Sequence, residues 1–524
     1  MLDNMSAQQR VILAVSLAFL FYVLYTYFFA PKQPVSTQNA TQEQSIAGKV
    51  PSETPDVKPT PYSESKDEVI TYVKSNDFEI HVDKMGRISK YFLNGENYKD
   101  DNGQRIQLID SSFDLLPLEI RFSDASLYKE AIETPYIADI SEISLKDEPR
   151  TLTLTQKLSD IEVVKKITFT KDKGYLVEIS LSQYRNYFIS PGFRPNQLAD
   201  GYAFHGAIIK KADGSLAKID DGDLKKQEDF TGAIFAAASD RYYTTLLAGI
   251  NADESIDVSV LPSAVKDPNI FIRGKENLKL QGYIGPKSRA AIYAMDERFD
   301  DVIEYGFFTL LSKPIFSLLY FIHSKIGNWG WSIVVITILI RLVLYPLTYR
   351  GMVSMNKIKE LMPKVKELQE RYKDDKQKLN IHMMDLYKKH GANPMGGCLP
   401  ILLQIPIFFA IYRVLVNTIE LKNAEWILWV KDLAVMDPYY ILPIAMGLTM
   451  FLQQKITPTN FTDPTQEKIM KLLPLIFTVF FLWFPAGLTL YWFVNNLFSI
   501  AQQMYVNRIF KLKKITAEKE KAQS

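Results

Sequence analysis

The sequence predicts an α-helical polytopic membrane bundle of six spans, five of them forming a core, joined to a large all-β domain of the sandwich type. Three observations carry that prediction. Mean hydropathy over the 524 residues is only −0.06, yet apolar side chains gather in 11–30 and across most of 326–508, the segregation expected of a membrane protein with one large soluble domain. The stretch between them alternates apolar and polar residues in short runs, a β pattern. The loops among the apolar segments differ sharply in basic content, as loops on opposite sides of a membrane do.

Residues 11–30, VILAVSLAFLFYVLYTYFFA, form an uncharged run of about the 20 residues that cross a bilayer. Signal-peptide cleavage wants small residues at the scission site and a shorter apolar core. Phe28 and Phe29 crowd Ala30, so 1–30 reads as an uncleaved anchor. Residues 31–68 are rich in Pro, Ser, Thr, Gln, Lys and Glu and cannot bury enough surface to fold, which makes them a flexible linker. From 69 to 298 come short alternating runs: Phe78, Ile80 and Val82; Leu152 and Leu154; Ile167 and Phe169; Leu278 and Leu280. Asp213-Gly214 and Asp221-Gly222 supply hairpin turns. An antiparallel β-sandwich follows.

In 299–325 an apolar helical pattern is broken by Lys313-Pro314, which argues for a helix lying in the membrane interface. Five hydrophobic segments then fill 326–508, at about 330–349, 398–416, 438–454, 470–484 and 487–507. Residues 350–396 hold eleven Lys or Arg against six acids, the tail from Arg508 holds six against two, and 417–437 holds two against four. The positive-inside rule places the first two loops in the cytoplasm and the third outside. With six spans, both termini are cytoplasmic, the β domain is external, and 509–524 is a basic cytoplasmic tail.

Arg341 stands in WSIVVITILIRLVLYPLTYR, ten residues after Trp331, hence about 15 Å along the helix from the first interface. A charge at that depth costs about 2.5–3.5 kcal/mol on insertion scales, so it needs a hydrated cavity or a partner. No acid lies inside any expected span to serve as one. Thr337, Arg341, Tyr345 and Thr348 share one helical face, and Pro346 frees the carbonyl of Leu342. Tyr491, Asn495, Ser499 and Gln502 repeat the pattern in the last span, with Trp492 and Asn496 beside them. Gln404 and Tyr412 mark a polar edge in the 398–416 segment, and Thr449 with Gln453 one in 438–454. These stripes can converge on one wet groove; equally, amides and hydroxyls glue membrane helices together.

The cytoplasmic segment 351–396 reads as a helical hairpin turning at Asp374-Asp375. Six of the fifteen methionines lie there: Met352, Met355, Met362, Met383, Met384 and Met395. Flexible thioethers suit a surface that accepts many hydrophobic sequences, and equally suit ordinary packing. Arg508, Lys511, Lys513 and Lys514 open a basic run suited to anionic lipid or ribosomal RNA, while topology alone also explains it. The net charge of +2 shows no DNA-binding signature. Cys398 is the only cysteine and the five histidines form no HExxH pair, so no metal, cofactor or catalytic residue is expected and the chain does not read as an enzyme.

The stretches GNWGWSIVVITILIRLVLYPLT (327–348), NPMGGCLPILLQIPIFFAIY (393–412), DPYYILPIAMGLTMFLQQK (437–455) and FFLWFPAGLTLYWFVNN (480–496) resemble the bacterial YidC membrane-protein insertases, of the wider Oxa-type family, in their Gram-negative form. That resemblance implies an inner-membrane protein with a periplasmic supersandwich domain. It also implies a groove open to cytoplasm and lipid with Arg341 inside it, Thr337 at a client-contact position, and Trp492 where family members often carry tyrosine. Clients would be nascent membrane proteins, delivered alone or with the Sec translocon, the ribosome docking at the hairpin and tail. Two other readings stay open on the sequence alone: a transporter using Arg341 for a small anion, and a scaffold that folds membrane proteins beside a translocon without inserting them.

Overall fold

The computed structural model describes residues 68–95, 98–99, 103–195, 203–251, 253–373, 375–393, 399–457 and 464–523. The anchor expected at 1–30, nearly all of the 31–68 linker, and Asp374, Met395 and Cys398 lie outside the described residues. The chain divides into two compact units, Met1–Glu304 and Tyr305–Ser524.

The first unit is built on a nine-stranded antiparallel sheet. Its strands run in the order Leu216–Asp220, Gly206–Lys210, Phe235–Ser239, Tyr243–Gly249, Leu278–Pro286, Gly174–Leu181, Glu162–Phe169, Arg150–Lys157 and Ile137–Ala138. Two five-stranded sheets accompany it. One contains Phe78–Asp83 and Ile88–Leu93, the other Pro268–Gly274 and Tyr187–Ile189. Alternation explains the layering: Leu152, Leu154, Ile167, Phe169, Val177 and Ile179 all point inward, as period two requires. At Gly214, φ is +80° in the hairpin between Gly206–Lys210 and Leu216–Asp220, a conformation glycine adopts without Cβ strain. Two helices attach to this unit. The first, α1 (Ala125–Glu133), is capped by Asp124, whose side chain accepts from the amides of Ser126 and Leu127, and α2 (Arg289–Met295) is capped by Ser288. Ile292 of α2, with Phe299 and Val302, seals the core against Phe235, Leu246 and Tyr283.

A buried lysine ties the layers together. Lys165 is fully buried on the large sheet, and its Nζ donates to the carbonyls of Gly86 and Leu118, each at 2.8 Å. Burial outweighs the nearby Asp83 and pushes its ammonium down to about 7; Lys287, likewise buried, falls to about 8. The unfolded chain holds the Lys165 proton up to about 10.5, the folded chain only to about 7. Between those values the unfolded state binds more protons, so stability rises with pH, and below the folded value the dependence vanishes. The β unit should therefore be roughly 2 kcal/mol more stable near pH 9 than near pH 7. Thermal unfolding across that window measures the slope, and Lys165→Met should reduce it.

The second unit is helical. It comprises α3 (Thr309–Ile326), α4 (Trp329–Arg371), α5 (Lys376–Lys389), α6 (Leu399–Asn417), α7 (Ile441–Ile456), α8 (Pro464–Phe481) and α9 (Ala486–Gln523). Gly306–Ile326 and Trp329–Arg371 are long and apolar enough to cross a membrane, while Leu403–Asn417 and Ile441–Ile456 are shorter apolar helices. By that measure the segment expected in the interface has the length of a span. It has two distinct faces: Ser312, Phe316, Leu319 and Ile322 are buried, while Phe307, Leu310 and Phe321 stand exposed. The bundle exterior is strongly apolar, with Val343 78% and Leu475 62% exposed, and Leu448, Phe451 and Leu472 likewise exposed. Such an extended apolar surface requires lipid rather than water.

The expected division between span and hairpin near residue 350 is not a break in the backbone. One helix, α4, runs through Pro346 and Pro363 to Arg371, so the first arm of the hairpin prolongs the membrane helix. The second arm, α5, is capped by Asp375, and Ile358, Leu361 and Ala392 form the core at the hairpin's base.

Candidate functional site

Arg341 lies on the inner face of α4 and is 8% exposed. Three helices converge on it. Its Nε donates to Asn495 Oδ1 of α9 at 2.6 Å. Gln404 of α6 donates through Nε2 to Tyr491 Oη at 2.9 Å and, more weakly, to the same Asn495 oxygen at 3.4 Å. Gln502, further along α9, reaches the Arg341 carbonyl at 3.5 Å, and its Oε1 is buried without a partner among the described residues. Among those residues no carboxylate pairs with Arg341, so the cluster keeps a full positive charge held by neutral amides. An arginine at membrane depth usually finds a carboxylate or faces water; here a neutral amide stands where a carboxylate would.

The other expected groove residues divide into two groups. Tyr491, Asn495, Ser499, Gln502 and Thr337 are buried on the faces that meet around Arg341. Yet the Thr337 hydroxyl donates to the Ile333 carbonyl at 2.6 Å and that of Ser499 to the Asn495 carbonyl at 2.8 Å, so both are satisfied within their own helices. Tyr345 stands beside Tyr349 and leaves its buried hydroxyl without a partner among the described residues. Trp492 sits elsewhere: its ring meets Phe408 edge-on at 4.8 Å and lies against Phe477 and Phe481 at 6.1 and 5.5 Å. It belongs to an aromatic seam of α6, α8 and α9 rather than to the polar cluster. The seam is not among the features expected from the sequence, although Phe477, Phe481 and Phe484 at helical spacing signal it.

Structure around the cluster holds the helices in register. Asn328 caps α4 by accepting from the Trp331 amide at 3.0 Å, and its Nδ2 donates to the carbonyls of Glu425 and Trp426. This ties the start of α4 to the α6–α7 connection. The same connection clasps the start of α9, where the Ala486 and Gly487 amides donate to Val435 and Leu433. Behind the site, α7 and α8 touch at Gly447, where an added Cβ would overlap Thr478 Oγ1, the close approach that small residues permit between membrane helices. The connection between α6 and α7 is thus bonded to the starts of two of the helices that carry the polar cluster.

Toward the other end of α4 lie the hairpin methionines. Met355 packs on the Ile358–Leu361–Ala392 core; Met352, Met362 and Met383 are half-buried and Met384 is exposed. Arg508, Lys511 and Lys513 project from the exposed extension of α9, and the side chain of Lys514 lies outside the described residues.

A bundle greasy outside, charged inside and attached to a separate β unit defines a polytopic membrane protein with an internal polar site. Comparison with known proteins supplies the family. The family model described as "60Kd inner membrane protein" matches residues 321–514, and that described as "YidC periplasmic domain" matches 72–318. The chain is 49% identical over 516 residues to "Membrane protein insertase YidC" of Campylobacter jejuni subsp. jejuni, covering 97% of each chain. To the protein of that name from Wolinella succinogenes it is 47% identical, covering 98% of this chain and 97% of the relative. A solved structure titled "Active YidC insertase crystal structure with the first transmembrane domain resolved" aligns over 94% of this chain and 98% of that one, with 18% identity and a TM-score of 0.36. The chain belongs to the YidC membrane protein insertase family.

Proposed function

We propose that this protein inserts client proteins into the inner membrane and assists their folding, receiving a client's polar segment at Arg341 while the client's hydrophobic helix leaves along the apolar exterior. The observation that carries this reading is the arginine held by Asn495 rather than by a carboxylate. A charge left uncompensated in a low-dielectric interior attracts acidic side chains far more strongly than it would in water. Water around that site shortens the hydrocarbon barrier the polar segment must cross. Partition of the client helix, at about 25 cal/mol per Å² of apolar area, then drives the step without a nucleotide.

The exposed Leu472, Leu475 and Val479 of α8 offer a sliding surface for the departing helix, and the aromatic seam of Phe408, Phe477, Phe481 and Trp492 braces α6, α8 and α9 behind it. In this reading the β unit is periplasmic and accessory, with both termini and the hairpin cytoplasmic. The hairpin and the basic extension of α9 face ribosomes and anionic headgroups, and the Sec translocon hands on clients too complex for unaided insertion. The activity is assisted partition, with no covalent step.

Liposomes containing only this protein should insert a short single-span client with an acidic translocated tail, read as protease protection well above that in empty vesicles. Insertion that requires a co-reconstituted translocon would transfer the reading to a scaffold that folds clients without inserting them.

A further inference from the structure

We infer that Asn495 sets the client specificity of the groove, by orienting the Arg341 guanidinium through Nε without neutralising it and so reserving the terminal nitrogens for a carboxylate on the entering segment. This inference rests on the insertase reading above and adds a positioning residue to that same site. A guanidinium offers a carboxylate two bidentate edges, one made by Nε with a terminal nitrogen and one made by the two terminal nitrogens. Asn495 Oδ1 occupies the first edge, at 2.6 Å from Nε. The terminal nitrogens make no hydrogen bond among the described residues, and neither is sealed from solvent without a partner. Only the end-on edge is left to an incoming ligand.

The identity of the residue at 495 matters as much as its position. An amide oxygen satisfies Nε and leaves the charge intact, whereas a carboxylate at the same place would satisfy Nε and cancel it. The amide is itself fixed: Oδ1 faces two donors, Arg341 Nε and Gln404 Nε2, and Gln404 is anchored in turn on Tyr491 Oη at 2.9 Å. That surrounding assigns the oxygen, not the nitrogen, to the arginine. Asn495 is therefore a positioning residue acting through Arg341. The ligand it selects is an Asp- or Glu-bearing segment of a client.

Asn495→Asp tests this with little change of shape, because the introduced carboxylate keeps the donations from Arg341 and Gln404. Full-length protein is reconstituted in phosphatidylcholine–phosphatidylglycerol vesicles with two single-span clients whose translocated tails differ only in Asp against Asn. The wild type is expected to favour the Asp client. In the variant, insertion of the Asp client should fall about tenfold or more, because an internally paired arginine attracts it weakly, and should fall several-fold further than that of the Asn client, whose tail carries no charge for Arg341 to attract. Equal loss for both clients would assign Asn495 a purely structural role and overturn the inference, as would unchanged insertion of both or a wild type indifferent to the tail. A wild type that inserts neither client defeats the insertase reading itself. Should Asn495→Asp fail to accumulate, Asn495→Ala is measured instead: Gln404 keeps its bond to Tyr491, and a smaller loss confined to the Asp client is expected.

Discussion

Arg341→Ala should abolish insertion of a client with an acidic tail, and Arg341→Lys should retain part of it. The size of the effect follows from the site's surroundings. At an effective dielectric of about 20, unit charges about 4 Å apart interact by about 4 kcal/mol, and losing even half of that costs more than tenfold in rate or occupancy. Lysine keeps the charge but offers a compact ammonium in place of a fork, so it should restore attraction without the end-on geometry. The alanine variant should still fold. Its loss leaves Asn495 Oδ1 with the Gln404 donor, and Gln502 bonds the backbone carbonyl at 341, which any residue supplies. Protease protection of the client in liposomes measures insertion, and the variant's own protease pattern reports its fold. Undiminished insertion by Arg341→Ala would mean that hydration and groove shape, rather than charge, carry the mechanism.

The polar stripe is legible in the sequence because two rules act locally. A charge in an apolar run is expensive wherever the fold puts it, and residues three or four apart share a helical face in any tertiary context. Those rules mark Arg341, Gln404, Tyr491, Asn495 and Gln502 as polar positions on their own helices, and the packing of α4, α6 and α9 brings them together. They do not say which hydroxyls are already spent: Thr337 and Ser499 bond the carbonyl four residues back, a choice made by rotamer. The same helical geometry separates neighbours in sequence. Trp492 stands about 100° around α9 from Tyr491, enough to turn it from the polar cluster to the aromatic seam. The sequence does not show that span and hairpin arm are one helix: α4 passes through Pro346 and Pro363 without ending, as helices allow when neighbours compensate the lost bonds. In the β unit, alternation identifies strands such as Arg150–Lys157 and Glu162–Phe169 correctly. The arrangement in three sheets depends on long-range pairing, including one parallel pair between Val69–Lys74 and Glu142–Ser144, and period two carries no information about that.

The β unit offers a second large effect, this time on stability alone. Tyr175 pairs with Gly282 on the adjacent strand, with its ring laid over the glycine. An added Cβ at Gly282 would overlap Tyr175 Cε2 and Cζ, and the ring is only 2% exposed with Phe169 beside it. Tyr187 covers Gly274 in the same way on a different sheet, where an added Cβ would overlap its ring. Because the Tyr175 ring cannot lift without opening the core, Gly282→Ala should cost about 3 kcal/mol, the upper range for overpacking. That corresponds to a fall of roughly 6–12 °C in the unfolding temperature of a unit this size. Gly214→Ala is the control: nothing lies within 4 Å of its Cβ position and φ is +80°, so only about 1 kcal/mol of backbone strain is expected. Pairing Gly282→Ala with Tyr175→Leu should cost less than the sum of the two single changes, since the smaller side chain removes the clash. Client insertion by Gly282→Ala should stay within about twofold of wild type at a temperature where the β unit remains folded, because the polar cluster draws its residues from α4, α6 and α9. Loss of insertion under those conditions would show that the β unit takes part in the insertion step.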